Sequence, residues 1–477
     1  MTGDNGPVFA AVDIGASGGR VIAGRITDGV ISSEVLHRFP NGPVETSSGL
    51  RWDLTGLHRQ VIIGLREVAR RYPTVISIGI DTWAVDYGLL DGQGDLVEEP
   101  HSYRQARTAE AVTAVHDRIT PAELYKITGL QFLPFNTIYQ LVAEQSCPAW
   151  ESAARVVLLP DLLAHRLTGC LATDATNAST TGLMDAGTRD WSDRLLEMTG
   201  LSRELLPAIE PPGSVRGRIT EQVAEQTGLS PDVVVTTVGT HDTASAVAAV
   251  PATGPGFGYV SSGTWSLVGV ETSEPILTEA SRLANFTNEG GVDGRIRYLR
   301  NEGGLWLLQE SLRQWAADGL DHDLGRLLEA AAKLPAGGPL VDVGADEFIA
   351  PGEMSTRIVR ACEAAGGRVP GNPAEITRCV LDSLAAAYAG TLREAAELSG
   401  RPIDRLHIVG GGSQNQLLCR LTADATGLPV IAGPVEATAL GNLLVQARAH
   451  RVITGTLEDL RQIVAASSNL ITYQPNG

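Results

Sequence analysis

In GTHDTASA, Asp242 stands between an apolar run, DVVVTTV, and an alanine-rich one, so it is expected where a strand hands over to a helix. An acid there projects into the crevice outside the strand's carboxyl end. It can take a proton from a substrate hydroxyl as that hydroxyl attacks a phosphoryl group, and the position equally suits a plain helix cap. In DIGASGGR, Asp13 ends an apolar run and is followed by Gly15, Gly18, Gly19 and Arg20. Consecutive N–H groups in such a turn suit phosphate oxygens, an acid beside them can hold hydrated Mg²⁺, and Arg20 adds positive charge. GxGxxG is absent, no GK[ST] follows, and the chain returns to strand after the turn, which excludes the dinucleotide fingerprint and the P-loop. Ser261–Thr264, in SSGT, form a comparable small-residue loop about 250 residues later, and Gly410–Gly412 a third glycine turn.

Elements must hold these loops. VFAAVDIG and RVIAGRI read as two strands of a hairpin, and RWDLTGLHRQVIIGLREVARRYP as a helix stopped at Tyr72-Pro73. TVISIGID is a largely apolar strand ending at Asp81, and VVLLPDLLAHRLTG a strand passing through Pro160 into a helix. PATGPGFG, from Pro251, is the best break between domains, and the hairpin GYVSSGTWSLVGV starts directly after it. Helices follow over GLWLLQESLRQWAADG and CVLDSLAAAYAGTLREAAELSG. Then LHIVGGGSQNQLLCRLTADATGLPVIAG reads strand, turn, helix, strand, before a last helix starting near Glu436. Each half thus opens on a hairpin and later carries a strand–polar turn–helix unit, which favours two related α/β domains.

The composition narrows the partners. With 477 residues, two large domains are the default. A net charge of −18 argues against a general nucleic-acid or acidic-membrane surface. No run approaches the roughly 20 apolar residues of a membrane span, and MTGDNGPVFAAVDIG lacks the basic start of a signal peptide, so a cytoplasmic protein is expected. Cysteines 147, 170, 362, 379 and 419 read as scattered reduced thiols. His101 and His165 lack metal-ligand spacing to a Cys or His partner, and no zinc site is expected from the spacings.

DIGASGGR, GIDTWAVDYGLL, QFLPFNTIYQL, LLPDLL…LTG, ATNASTTGL, GTHDTASAV, SSGTWSL, NEGG, GLWLLQ and IVGGGSQN, in this order over about residues 8 to 450, resemble the FGGY family of carbohydrate kinases. The resemblance implies two α/β domains of the ribonuclease H-like (actin/hexokinase) type flanking a catalytic cleft. It implies residues 1–250 as the sugar-binding domain, 251–465 as the nucleotide-binding domain, and 466–477 as a tail. It implies ATP and Mg²⁺, with Asp242 as catalytic base and Asp13 as the acid associated with the metal. Ala16, Ser17, Gly18, Gly19 and Arg20 match the first phosphate loop, and Thr264, Gln309 and Gly411 match nucleotide contacts. Ala84, His241, Asp242, Thr243 and Asn301 match sugar contacts. Three positions depart from the family pattern: Ala84 stands where Gly is common, Asn301-Glu302-Gly303-Gly304 where NIMG is frequent, and Gln105 where YRD has its acid.

Within that resemblance DTWAVDYGLL, NASTT, HDTASAV and SSGTWSL are the more specific segments, and what they resemble implies L-rhamnulose as acceptor, phosphorylated at O1 in L-rhamnose catabolism. L-fuculose and L-xylulose are the nearest alternatives, because a site differing by one hydroxyl orientation can keep the same loops. A non-catalytic sugar or nucleotide sensor would have lost the HDT acid or a phosphate loop, and an actin- or chaperone-like ATPase would not need TWAVDYG. Oligomeric state is left open by the sequence.

Overall fold

Every residue of VFAAVDI in Val8–Gly15 (β1) is buried. A run with no polar face suits only a strand flanked on both sides and covered on both faces. The computed structural model, which describes residues 6–320 and 322–476, places β1 in that central position. Gly18–Thr27 (β2) pairs antiparallel with β1, and Val30–Pro40 (β3) antiparallel with β2. The helix Leu54–Arg71 (α1) follows, its start fixed by Asp53 accepting from the Gly56 N–H at 2.7 Å. Its buried Leu57, Val61, Leu65 and Val68 recur at helical spacing. A side chain at Gly64 would strike Val21, so α1 rests directly on β2.

Val75–Thr82 (β4) pairs parallel with β1 on its other side. Further on come the helices Thr137–Glu144 (α2) and Leu159–Thr168 (α3), then the strands Val215–Arg218 (β5) and Val234–Thr236 (β6) and the short helix Asp242–Ala248 (α4). The sheet order is β5-β6-β4-β1-β2-β3, with β6 parallel to β4. An antiparallel meander flanked by parallel strands is the ribonuclease H-like arrangement that the family resemblance implied.

The pattern then recurs. Phe257–Ser262 (β7) and Trp265–Thr272 (β8) form an antiparallel hairpin, followed by the strand Ile296–Gly303 (β9) and the helices Trp306–Ala317 (α5) and Pro373–Ser399 (α6). Arg405–Val409 (β10) pairs parallel with β7; after helix Gln416–Thr426 (α7), Val430–Ala432 (β11) pairs parallel with β10. Two helices, Ala437–Ala449 (α8) and Leu457–Ser467 (α9), precede a closing strand, Ile471–Tyr473 (β12).

The chain divides into two compact units, and not at a single cut near 250. Unit 1 comprises Met1–Thr253, Glu271–Tyr298 and Ala437–Ser467; unit 2 comprises Gly254–Val270, Leu299–Glu436 and Ser468–Gly477. Thus α8 and α9 belong with the first sheet. The Gln446 side chain donates to the Ala10 carbonyl in β1 at 3.0 Å, and Gly441 lies so close to Ser245 of α4 that a methyl there would collide with its carbonyl. Residues 466–477 are no simple tail, because β12 pairs antiparallel with β11. Among the described residues no helix is long and apolar enough to cross a membrane.

Candidate functional site

In unit 1 the strand ends bring three carboxylates into electrostatic contact. Asp13 of β1 and Asp81 of β4 are direct partners in the parallel register. Asp81 is wholly buried; its Oδ2 accepts from the Asn442 amide of α8 at 2.6 Å, while Oδ1 has no hydrogen-bond partner. Burial first, then the Asp13 charge, holds Asp81 well above the ordinary carboxylate range; Asp242 adds to this and the Asn442 hydrogen bond opposes it. Gly79 leaves room for the Asn442–Gln446 amide pair that supports Asp81. Hard carboxylate oxygens whose mutual repulsion a cation would relieve are a donor set that fits Mg²⁺.

Asp13 and Arg20, expected to serve metal and phosphate separately, face each other across the β1–β2 hairpin. Arg20 Nε and Nη2 both donate to Asp13 Oδ2, at 2.9 and 2.7 Å. Ala16 and Ser17 form the two-residue turn between Gly15 and Gly18. The glycines do not act there as expected: none of Gly15, Gly18 and Gly19 takes a left-handed conformation. Gly19 is required instead because a side chain would enter the Phe39 ring.

Asp242 opens α4 but does not cap it. His241 is the N-cap residue, and no side chain caps the helix end. The Asp242 side chain, 29% exposed, accepts from the Thr243 hydroxyl at 3.1 Å and lies 3.6 Å from His241 Nε2. On the other ring edge, Arg297 Nη2 is 3.0 Å from His241 Nδ1. Guanidinium can only donate, so Nδ1 accepts from Arg297, while Glu289 Oε2 stands 3.3 Å from the same nitrogen; the ring is thus held from behind with Nε2 toward Asp242. Arg297 is fully buried, held by Glu289 at 3.1 Å and by the Gly290 carbonyl at 2.9 Å. Burial raises the Asp242 pKa, with His241 the largest opposing influence.

Behind Asp242 lies an acid the sequence reading passed over. Asp174 Oδ2 accepts from the backbone N–H groups of Thr176, Asn177 and Thr240 at 3.0, 3.2 and 3.0 Å, and from the Thr176 and Thr240 hydroxyls. It therefore ties the NASTT segment to the strand end that presents HDT. The Asn177 amide within this segment is buried, and neither its oxygen nor its nitrogen has a partner. A buried amide open at both ends takes its partners from outside the chain, as water or ligand.

Ala84 is half-buried, flanked by Trp83 and by Val85 in the left-handed region at φ 68°. The nearby Asp86 is a buried acid, enclosed by donors from several elements. It is 1% exposed, and its Oδ2 accepts from the indoles of Trp52 and Trp83, at 2.6 and 3.0 Å, and from the Tyr103 N–H at 3.3 Å. Its Oδ1 accepts from the Gln140 amide of α2 at 3.1 Å. Burial nevertheless pushes its pKa up to about 6. Trp52 and Trp83 meet at a ring separation of 4.3 Å, and Tyr103 and Phe135 extend this aromatic wall. Trp52, in the plain-looking RWDL, gave no signal beyond its size.

In unit 2, Thr264 lies in the β7–β8 turn, and a side chain at Gly304 would come within 2.5 Å of its carbonyl oxygen. Gln309 on α5 keeps a buried Oε1 without a partner. Gly411 has open space where a side chain would stand, whereas Gly410, at φ 81°, and Gly412 both abut Ser262. The steric demand of this turn thus falls on Gly410 and Gly412, and Gly411 is the residue of the three with a free face. Asn301 is half-buried on β9. Glu302 is no open pocket acid: Arg300 Nε and the Thr391 hydroxyl each hold its Oε1 at 2.6 Å.

Residues 8–249 match the N-terminal domain, and residues 258–450 the C-terminal domain, of the FGGY family of carbohydrate kinases. The chain is 42% identical over 469 residues to a rhamnulokinase of Bacteroides thetaiotaomicron, covering 98% of this chain and 96% of that protein. It is 40% identical over 474 residues to one of Enterococcus faecalis, covering 98% and 94%. In fold it resembles gluconate kinase from Lactobacillus acidophilus, with a TM-score of 0.80 at 16% identity over 99% of this chain and 94% of that one. It likewise resembles Plasmodium falciparum glycerol kinase with ADP, at 0.76 and 15% over 99% and 95%.

Proposed function

Because this chain belongs to the FGGY family of carbohydrate kinases, we propose that it transfers the γ-phosphoryl group of ATP to O1 of L-rhamnulose, giving L-rhamnulose 1-phosphate and ADP in L-rhamnose catabolism. The observation that carries this reading is the pair of rhamnulokinases at 42% and 40% identity, each matched over 98% of the chain. Unit 1 holds the sugar and unit 2 the nucleotide, and the enzyme works in the cytoplasm. Asp242 accepts the proton of the O1 hydroxyl as O1 bonds to the γ-phosphorus and the bond to the β,γ-bridging oxygen breaks. The His241 ring, held by Arg297 and Glu289 on its far edge, turns Nε2 toward Asp242 and steadies its charge. Mg²⁺, held by Asp13 with Asp81 behind it, would neutralise phosphate charge. The turn Ala16–Arg20 supports the phosphates from unit 1, and Thr264, Gln309 and Gly411 receive the nucleotide in unit 2. Ala84, His241, Thr243 and the Asn177 amide contact the sugar in unit 1, against the wall of Trp52, Trp83 and Tyr103.

Two measurements test this. Asp242→Asn keeps sugar binding and lowers kcat by about 10²-fold or more, the range of a positioned base; activity within a few-fold of the parent would remove Asp242 from that role. At fixed Mg-ATP, kcat/KM ranks L-rhamnulose above L-fuculose, L-xylulose and glycerol. A tenfold preference for L-fuculose or L-xylulose would leave a carbohydrate kinase with a different acceptor.

A further inference from the structure

Away from the carboxylates of the strand ends, unit 1 gathers His101, Glu144 and Cys147. One ligand atom from each lies within 4.8 Å of the others. His101 Nε2 and Glu144 Oε1 are 3.7 Å apart, both are buried, and neither has a hydrogen-bond partner. Two unpartnered buried atoms aimed at one point, with a thiol beside them, are more than a chance grouping of polar residues.

The surroundings settle which atom of each residue is free. His101 Nδ1 is 3.0 Å from Gln105 Oε1, an acceptor, so the ring hydrogen sits on Nδ1 and the Nε2 lone pair points into the cluster. Glu144 divides its oxygens: Oε2 takes Arg107 Nη2 at 2.8 Å and the Tyr87 hydroxyl at 3.0 Å, which leaves Oε1 for the cluster. A ring nitrogen bonded to an acceptor and a carboxylate with its outer oxygen occupied are the supports that orient metal ligands.

We infer that His101 Nε2, Glu144 Oε1 and Cys147 Sγ bind a zinc ion, with water as fourth ligand. Zinc takes nitrogen, oxygen and sulfur donors at about 2.0–2.3 Å in tetrahedral geometry, which sets ligands roughly 3.3–3.8 Å apart. The observed spacing therefore needs only a small closure of the Cys147 side chain. On binding, the Cys147 thiol proton leaves to solvent and sulfur bonds to zinc as thiolate. Thiolate and Glu144 carboxylate offset the zinc charge, and the Arg107 guanidinium stays on the outer oxygen.

The place of the cluster gives the ion a task. His101 is two residues before Tyr103, and Glu144 is one helical turn after Gln140; the Tyr103 N–H and the Gln140 amide both donate to Asp86. Zinc would lock together the loop and the helix that position this buried acid and its aromatic wall. Spacing rules do not reveal the set, because His101 lies more than forty positions from its partners and a carboxylate completes it.

Cobalt is the probe. The full chain, stripped with a chelator and titrated with Co²⁺, is expected to develop a thiolate-to-cobalt charge-transfer band that saturates at one equivalent and is displaced by Zn²⁺. Cys147→Ser and His101→Asn lose the band, Cys170→Ser, at an exposed thiol, keeps it, and Gln105→Ala weakens binding about 10–100-fold. In the parent, zinc raises Tm and equimolar magnesium does not, a readout independent of how the variants fold. No band at one equivalent, a band that survives Cys147→Ser or vanishes with Cys170→Ser, or no zinc-specific rise in Tm would overturn the assignment.

Discussion

Asp174 is wholly buried and places every hydrogen bond it accepts from the NASTT and HDT segments on a single oxygen; Oδ1 has no partner. Burial is the largest influence on its pKa, the Thr176 hydrogen bond opposes it, the Asp161 charge adds to it, and the result is a pKa of about 7. In the unfolded chain the same group titrates near 3.9. Between roughly pH 4 and 7, therefore, the native state holds a proton that the unfolded state has released. Stability must fall as pH rises through that window and level off above it. Asp174→Asn keeps an acceptor for the crowded side and has no proton to lose. Relative to this variant, the parent should lose about 2–3 kcal/mol between pH 5 and pH 8, at 1.36 kcal/mol per pKa unit. Urea denaturation of both proteins at a series of pH values measures the difference directly. If the two stabilities run parallel across that range, Asp174 is ionised in the native state and the reasoning from its burial is wrong.

Asn177→Ala should raise the sugar KM about tenfold or more and leave the ATP KM unchanged, since a hydrogen bond to a buried group is lost only when sugar is bound; steady-state kinetics with each substrate varied would show it. Gly411→Ala should fold like the parent and raise chiefly the ATP KM. Gly412→Ala, whose methyl meets the Ser262 hydroxyl, should lose about 1–3 kcal/mol on denaturation. As pH falls, kcat should drop through the raised pKa of Asp242 as the base takes up its proton; a flat acid limb would argue for a different group. Ala84→Gly should shrink the preference for a 6-deoxy ketose over its hydroxymethyl counterpart, measured as a ratio of kcat/KM, because one methyl contact is worth only about 1–3 kcal/mol.

The hairpin Val8–Thr27, its counterpart at Phe257–Thr272 and the acid before α4 were legible because each is local: apolar run, small-residue turn, apolar run. What could not be read is pairing across long separations. Asp81 depends on Asn442, 361 positions away, and no spacing rule links them. The choice of α8 and α9 to close the first sheet was hidden for the same reason, since an amphipathic helix does not declare which sheet it covers. Packing demands on glycines were hidden for the same reason: Gly19 is required by the Phe39 ring and Gly412 by Ser262, neighbours that no motif declares. Asp86 and Glu302 looked like accessible acids because their donors, Trp52, Gln140 and Thr391, come from other elements.

The return of α8 and α9 to unit 1 bears on how the protein is made. A ribosome that has released Thr253 has issued the whole first sheet, but not the amides of Asn442 and Gln446 that receive Asp81 and the Ala10 carbonyl. At roughly 5–20 residues per second, those amides trail by about 10–40 s. For that interval the nascent sheet carries the apolar floor of β1 and β4 without its roof, a surface on which a holding chaperone, or an identical chain on a neighbouring ribosome, can settle first.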